Sequence, residues 1–328
     1  MDNYRISLAR EAYERTMRIT GTFLDEVSVD IPHQNWGRDE WDKDFAAMKA
    51  VGIESVIMIR CGWGRWMTYP SRVLLEQQNG YVPPLDLVEM FLELSEKYGL
   101  SFYFGLYDSG DYWLNGHPEK ERDINLSIID EAWARYGKFP AFKGWYMSQE
   151  FSKNILGVID IFNAMGKHCK EVSGRLPVLI SPYIEGRKID VKEVITPEQH
   201  EMEWNEIMSA ISGVVDVVAF QDGHVDFHEL EEFLVINKAL ADRHGIQCWT
   251  NIETFDRDMP IDFLPIKWEK LLLKLSAAER ARYENAITFE FSHFMSPNSC
   301  YPQAHHLYNR YCEHFGIFAN QPKEFVLR

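Results

Sequence analysis

The chain of 328 residues is short of positive charge: 34 Lys and Arg stand against 50 Asp and Glu, a net charge of −16. Binding to nucleic acid or to an anionic membrane needs clustered cations, so neither is an expected partner. A neutral or cationic ligand suits the chain better. Paired cysteines are also lacking. Cys61, Cys169, Cys248, Cys300 and Cys312 are odd in number and show no C-x-x-C spacing, which excludes a disulfide framework and a zinc site of that type. No apolar run approaches the length of about 18 residues that a membrane span needs. The first twenty residues are charged and have no apolar signal core, so a cytoplasmic location is the simplest reading, or a secreted or periplasmic one if a signal peptide has been removed. There is no Gly-x-Ser-x-Gly elbow and no cysteine in a nucleophile context, which argues against acyl transfer. No Gly-rich phosphate loop follows the first strand-like run, which lowers the odds of an open doubly wound sheet.

What is present is apolar and aromatic. Hydrophobic residues make up 46% of the chain and aromatics 14%, enough for a large core with rings left over for a concave site. Strand-like runs recur at 21–27, 55–63, 101–109, 142–150, 177–184, 214–223, 247–255 and 285–294. Their starts are 33 to 46 residues apart, room for a helix and two loops each time. Helical patterns fill the intervals at 38–52, 84–99, 150–174, 197–213, 226–245 and 262–284, several of them stopping at glycine. In the first, Trp41, Phe45, Met48 and Val51 recur at helical spacing. Eight strand–helix units without a linker or low-complexity segment predict an α/β protein, a single-domain (β/α)8 TIM barrel over 1–328, with residues 1–20 as an N-terminal helical extension.

Active sites of such barrels lie at the carboxyl ends of the strands. The eight runs end, in order, in Asp25 and Glu26; Arg60 and Trp63; Tyr107 and Asp108; Glu150; Tyr183 and Glu185; Gln221, Asp222 and His224; Glu253; Glu290 and His293. Strand alternation adds Trp249 and Asn251 to the face that carries Glu253, and puts Tyr103, Gly105 and Tyr107 on one lumenal face. Trp145 and Met147 are expected to face helices, with Gly144, Tyr146, Ser148 and Glu150 facing the lumen. Charges at the ends of apolar runs are costly to bury and tend to be functional. Two carboxylates in an aromatic cleft suit glycosidic bond cleavage, one giving a proton to the leaving oxygen and the other attacking the anomeric carbon or activating water. Glu150 and Glu253 are the candidate pair, with Trp249, Asn251 and the remaining strand-end residues other than Glu185 as candidate sugar contacts. No cofactor or resident metal is called for.

The placement of Glu150 and Glu253 resembles that of clan-A glycoside hydrolases, which implies an acid/base at Glu150, a nucleophile at Glu253 and a retaining mechanism. Arg60 resembles that clan's sugar-site arginine. The chain departs from the clan at Gln149, where Asn is usual, and at the end of the eighth run, where His293 and Phe294 stand instead of Trp. A closer resemblance, to a largely uncharacterised glycosidase-like barrel family, rests on Gly21 to Glu26 (G-T-F-L-D-E), Asn35-Trp36-Gly37, Trp41 to Lys49 and Val56 to Arg60. It implies a carbohydrate-active enzyme with a sugar or glycoside ligand. Two other readings stay open. Asp222 and His224, followed by Asp226 and His228, offer donors for a metal-dependent barrel hydrolase, although Asp226 also suits a helix N-cap. A catalytically silent sugar-binding barrel is the other. Oligomeric state is not legible.

Overall fold

The computed structural model describes residues 16–28, 31–155, 157–189, 194–257 and 263–317. The eight apolar runs become eight parallel strands: β1 (Ile19–Leu24), β2 (Ser55–Met58), β3 (Ser101–Gly105), β4 (Phe142–Met147), β5 (Val178–Ile180), β6 (Val217–Gln221), β7 (Gln247–Glu253) and β8 (Ala286–Phe289). Each pairs with its chain neighbours, and β8 closes on β1 through Thr22 and Thr288. The result is the expected (β/α)8 barrel, of class α/β.

Among the described residues eight helices of twelve or more residues follow the strands: α1 (Arg38–Val51), α2 (Leu87–Tyr98), α3 (Pro118–Tyr136), α4 (Val158–Ser173), α5 (Pro197–Ile211), α6 (Leu230–His244), α7 (Trp268–Arg280) and α8 (Pro302–His314). Their ends are locally encoded. Asp86 accepts the N–H of Glu89 at the start of α2, and Thr196 and Gln199 form a capping box ahead of Pro197 in α5. Gly52, Gly99, Gly174 and Gly245 end their helices in the left-handed region, where a side chain would be strained. Helix α4 starts later than its sequence pattern implied, so Glu150 sits on a loop rather than on a helix. Of the expected N-terminal extension, residues 1–15 lie outside the described residues, while Ile19 and Thr20 already belong to β1.

Alternation sorts the strands into two cores. Trp145 and Met147 face the helices with Phe102, Phe104, Val178, Ile180, Val218 and Phe220. Phe23, Ile57, Ile59, Tyr103, Tyr146, Leu179, Val217, Ala219 and Ile287 fill the barrel interior, with Trp249 packed against them. Strands β2 and β3 approach closely at Gly105, where an added Cβ would lie 2.0 Å from the backbone oxygen of Met58. Among the described residues no helix is long and apolar enough to cross a membrane.

Backbone cannot yield as a flexible side chain can, so Gly105→Ala is expected to destabilise the protein by about 1–3 kcal/mol or more. An unchanged urea midpoint in that variant would show that the strands do not approach as closely as described.

Candidate active site

A cavity of about 440 Å³ opens at the carboxyl ends of the strands. It brings together eight of the residues picked from the sequence: Arg60, Trp63, Asp108, Glu150, Tyr183, Gln221, Asn251 and Glu253. Period-2 alternation explains most of this. Asn251 and Glu253 share a face of β7, and Glu150 continues the lumenal face of β4 beyond Tyr146 and Ser148. The Ser148 hydroxyl fastens that strand end by donating to the carbonyls of Ile59 (2.8 Å) and Leu106 (2.7 Å).

The two carboxyls stand in different environments. Burial pushes Glu150 up, opposed only in part by the Arg60 guanidinium and a hydrogen bond from Gln221, and Asp108 pushes it further. Its net shift is upward. Glu253, 2% exposed, is also penalised by burial, but Arg257, Lys274 and His224 together outweigh that and hold it below the usual range. Arg257 grips it in bidentate fashion, Nε to Oε2 at 2.9 Å and Nη2 to Oε1 at 2.7 Å. Gly223 lies against the other side, where an added Cβ would come 1.8 Å from Oε2. Beneath, Asp222 accepts the Glu253 N–H at 3.0 Å and pairs with Lys274 at 2.7 Å, while Lys274 also donates to the Glu253 carbonyl at 3.1 Å.

Arg60 is 8% exposed and lies 4.5 Å over the Trp63 ring. Burial opposes its charge, but Glu150, Asp108 and Asp25 hold the proton on. Its Nε has no hydrogen-bond partner, and neither has Oδ1 of Asn251. Both atoms are themselves buried, although their residues line the cavity. Asp108 accepts from Gly110 N (2.8 Å) and from Trp113 Nε1 (3.1 Å), which places the Trp113 ring at the cavity wall.

Eight other sequence candidates do not line the cavity. Tyr107 was expected in the lumen, but β3 ends at Gly105 and the alternation ends with it. Tyr107 and Asp108 pair instead with Gly62 and Trp63, and the Tyr107 hydroxyl donates to the Gly64 carbonyl at 2.8 Å. Asp25 turns the loop after β1 by accepting from Val27 and Ser28. Glu26 neighbours His293, Asp25 and Glu290, and burial raises it to about 7. β8 stops at Phe289, where the sequence pattern continued to residue 294; Glu290 instead caps a short helix, Phe291–Phe294, and binds His293. His293 Nε2 in turn donates to the Pro32 carbonyl at 3.0 Å, and the Glu290 and His293 side chains are both fully buried. Trp249 sits deeper, edge-on to Tyr103 at 6.2 Å. His224 packs beside Tyr183 at 5.7 Å, its pKa lowered by burial and by Arg257. Asp222, which the metal reading needs, is committed to Lys274. Asp226 accepts from the His228 backbone in the turn before α6. Among the described residues no three His, Cys, Asp or Glu side chains converge as a metal would need.

Gln149 explains one departure noted in the sequence. It is 2% exposed and turns away from the cavity, its amide donating to the Tyr107 carbonyl (2.8 Å) and to Glu121 (2.7 Å). The sequence reading missed Ser28, Ile59, Trp113, Leu114, Phe255, Arg257, Phe263 and Phe289, all of which line the cavity. Phe255–Asp256 pairs antiparallel with Leu264–Pro265 and so folds Arg257 and Phe263 back over Glu253. The one available signal was Arg257 four residues beyond Glu253.

The closed (β/α)8 barrel thus carries two unlike carboxyls in one aromatic cavity. The chain belongs to the family described as "Domain of unknown function (DUF4434)", whose model matches residues 19–301. It is similar to a solved structure from Bacteroides thetaiotaomicron VPI-5482 described as a "putative alpha-L-fucosidase", with 58% identity over 93% of this chain and 95% of that one, at a TM-score of 0.90. Two remoter likenesses show the fold alone. An intracellular xylanase from Thermoanaerobacterium saccharolyticum has 13% identity, 85% and 86% coverage and a TM-score of 0.50. A beta-D-glucuronidase from Dictyoglomus thermophilum has 16% identity, 91% and 50% coverage and a TM-score of 0.54. None of the curated proteins compared with the chain matches it.

Removing Lys274 leaves Asp222 buried without its cation. Lys274→Met is therefore expected to destabilise by about 3–5 kcal/mol, and adding Asp222→Asn to recover much of the loss. Guanidinium unfolding of both variants checks this; an additive outcome would show that the pair is not coupled.

Proposed function

We propose that the protein is a retaining glycoside hydrolase in which Glu150 is the acid/base and Glu253 the nucleophile. The observation that carries this reading is the opposite displacement of two carboxyls lining one cavity. Groups whose environments push them apart divide acid and base roles between them. In the first step Glu150 gives its proton to the glycosidic oxygen as Glu253 attacks the anomeric carbon. In the second, Glu150 takes a proton from water, which displaces the sugar from Glu253. Arg257 keeps Glu253 ionised. Each carboxylate oxygen has two lone-pair sites, so an oxygen held by Arg257 retains one for attack. Trp63, Trp113 and Phe289 supply faces for the apolar sides of a sugar ring, and Arg60, Gln221 and Asn251 meet hydroxyls. The relative at 58% identity carries a fucosidase description, which makes aryl α-L-fucosides the first substrates to test.

A glycoside screen with NMR of the first anomeric product tests the reading; net inversion would remove Glu253 as nucleophile. On a verified substrate, Glu150→Gln is expected to lower kcat by about 10²–10⁴-fold with the melting temperature nearly unchanged. Near-normal turnover would remove Glu150 from the role.

Activity needs Glu150 protonated and Glu253 ionised. It should therefore fall as pH rises through the raised Glu150 value and as pH drops below the lowered Glu253 value. Arg257→Ala removes the main charge that holds Glu253 down, so the acid limb of the kcat/KM profile should move to higher pH, and by more than the alkaline limb, because Arg257 acts more weakly on Glu150. An unmoved acid limb would show that Arg257 does not control Glu253.

A further inference from the structure

The chain after β2 forms a small hairpin in which Gly62–Trp63 pairs antiparallel with Trp66–Met67. Trp63 and Trp66 are direct cross-strand partners, so their rings stand on the same face. Trp63 lines the cavity, whereas Trp66 is 57% exposed. Tyr81 bridges to Trp66 as a third strand position, and its ring lies 4.8 Å from that of Trp66 at an angle of 42°. Tyr81 is 46% exposed. Arg65 lies 4.2 Å from the Tyr81 ring, its own Nε donating to the Asn79 carbonyl at 2.9 Å. Three aromatic side chains thus run outward from the cavity wall to open solvent.

We propose that Trp66 and Tyr81 form a stacking platform for sugar units that continue from the ring held in the cavity, so that the natural substrate is an oligosaccharide or a glycan chain. This rests on the reading of the cavity as a glycosidase site. The platform does not serve the fold. The hairpin is fixed without the two rings, by backbone bonds from Tyr81 N to Arg65 O (2.8 Å) and Thr68 N to Cys61 O (2.9 Å), and by the Tyr107 hydroxyl on Gly64. Large rings left exposed on a rigid support mark an interaction site. The cross-strand pairing of Trp66 with Trp63, which lines the cavity, favours sugar over protein. So does size: Trp66 and Tyr81 are two contacting exposed rings, whereas a stable subunit interface draws on roughly 20–30 residues a side.

The test uses Glu150→Gln enzyme, so that ligands bind without turnover, and isothermal titration with mono-, di- and trisaccharides of the sugar found in the screen. Adding Trp66→Ala or Tyr81→Ala is expected to weaken trisaccharide binding about tenfold, to leave the monosaccharide unchanged, and to be largely rescued by Trp66→Phe. In otherwise wild-type enzyme the same alanine variants should keep full kcat/KM on an aryl monoglycoside. Equal trisaccharide affinity with and without Trp66, or an equal loss for the monosaccharide, would overturn the platform and leave the cavity reading standing. Sedimentation showing that Trp66→Ala dissociates an oligomer would overturn it in favour of a subunit contact. A Glu150→Gln enzyme that binds none of the sugars would remove both readings.

Discussion

The cavity is organised around one problem: Glu253 is a carboxylate almost without water. A buried charge of this kind persists only if paired and hydrogen-bonded on every side. Three elements meet that demand. The hairpin after β7 supplies Arg257, the end of β6 supplies Asp222 and the bare backbone of Gly223, and α7 supplies Lys274. Two cations and two carboxylates alternate from cavity to helix layer, and the Glu253 backbone is gripped as firmly as its side chain.

Glu150 has a looser setting. Its nearest cation, Arg60, is shared with Asp108 and rests on Trp63 rather than forming a bidentate pair. Burial therefore wins at Glu150 and loses at Glu253, although both are glutamates at strand ends of one barrel. The difference comes from the loops. Arg257 arrives on a hairpin that folds inward, while the loop after β3 brings Trp113 and Leu114, which exclude water without supplying charge.

The barrel and the cavity floor were legible because both follow from strand periodicity. Glu150, Asn251 and Glu253 are placed by alternation counted from apolar neighbours, and the helix stops by glycine. Legibility ended where strands did. Tyr107 was misplaced because Gly105 ends β3 one step early and the next pair joins another sheet. Glu290 and His293 looked like strand-end ligands because Phe289 to Phe294 reads as one apolar run, yet the chain turns there into a capped helical turn. Arg257 and Phe263 were missed because their position depends on a hairpin closing through a non-local pairing. Gln149 could be read as a departure, but not as a residue facing Glu121.

The barrel interior below the cavity is packed with Phe23, Ile57, Tyr103, Tyr146 and Trp249, a plug rather than a passage. Whatever enters between Trp63, Leu114 and Phe263 must leave by the same mouth. Arrival and departure are then mutually exclusive events at one doorway, and the pace at which that doorway clears bounds the throughput of any chemistry performed beneath it.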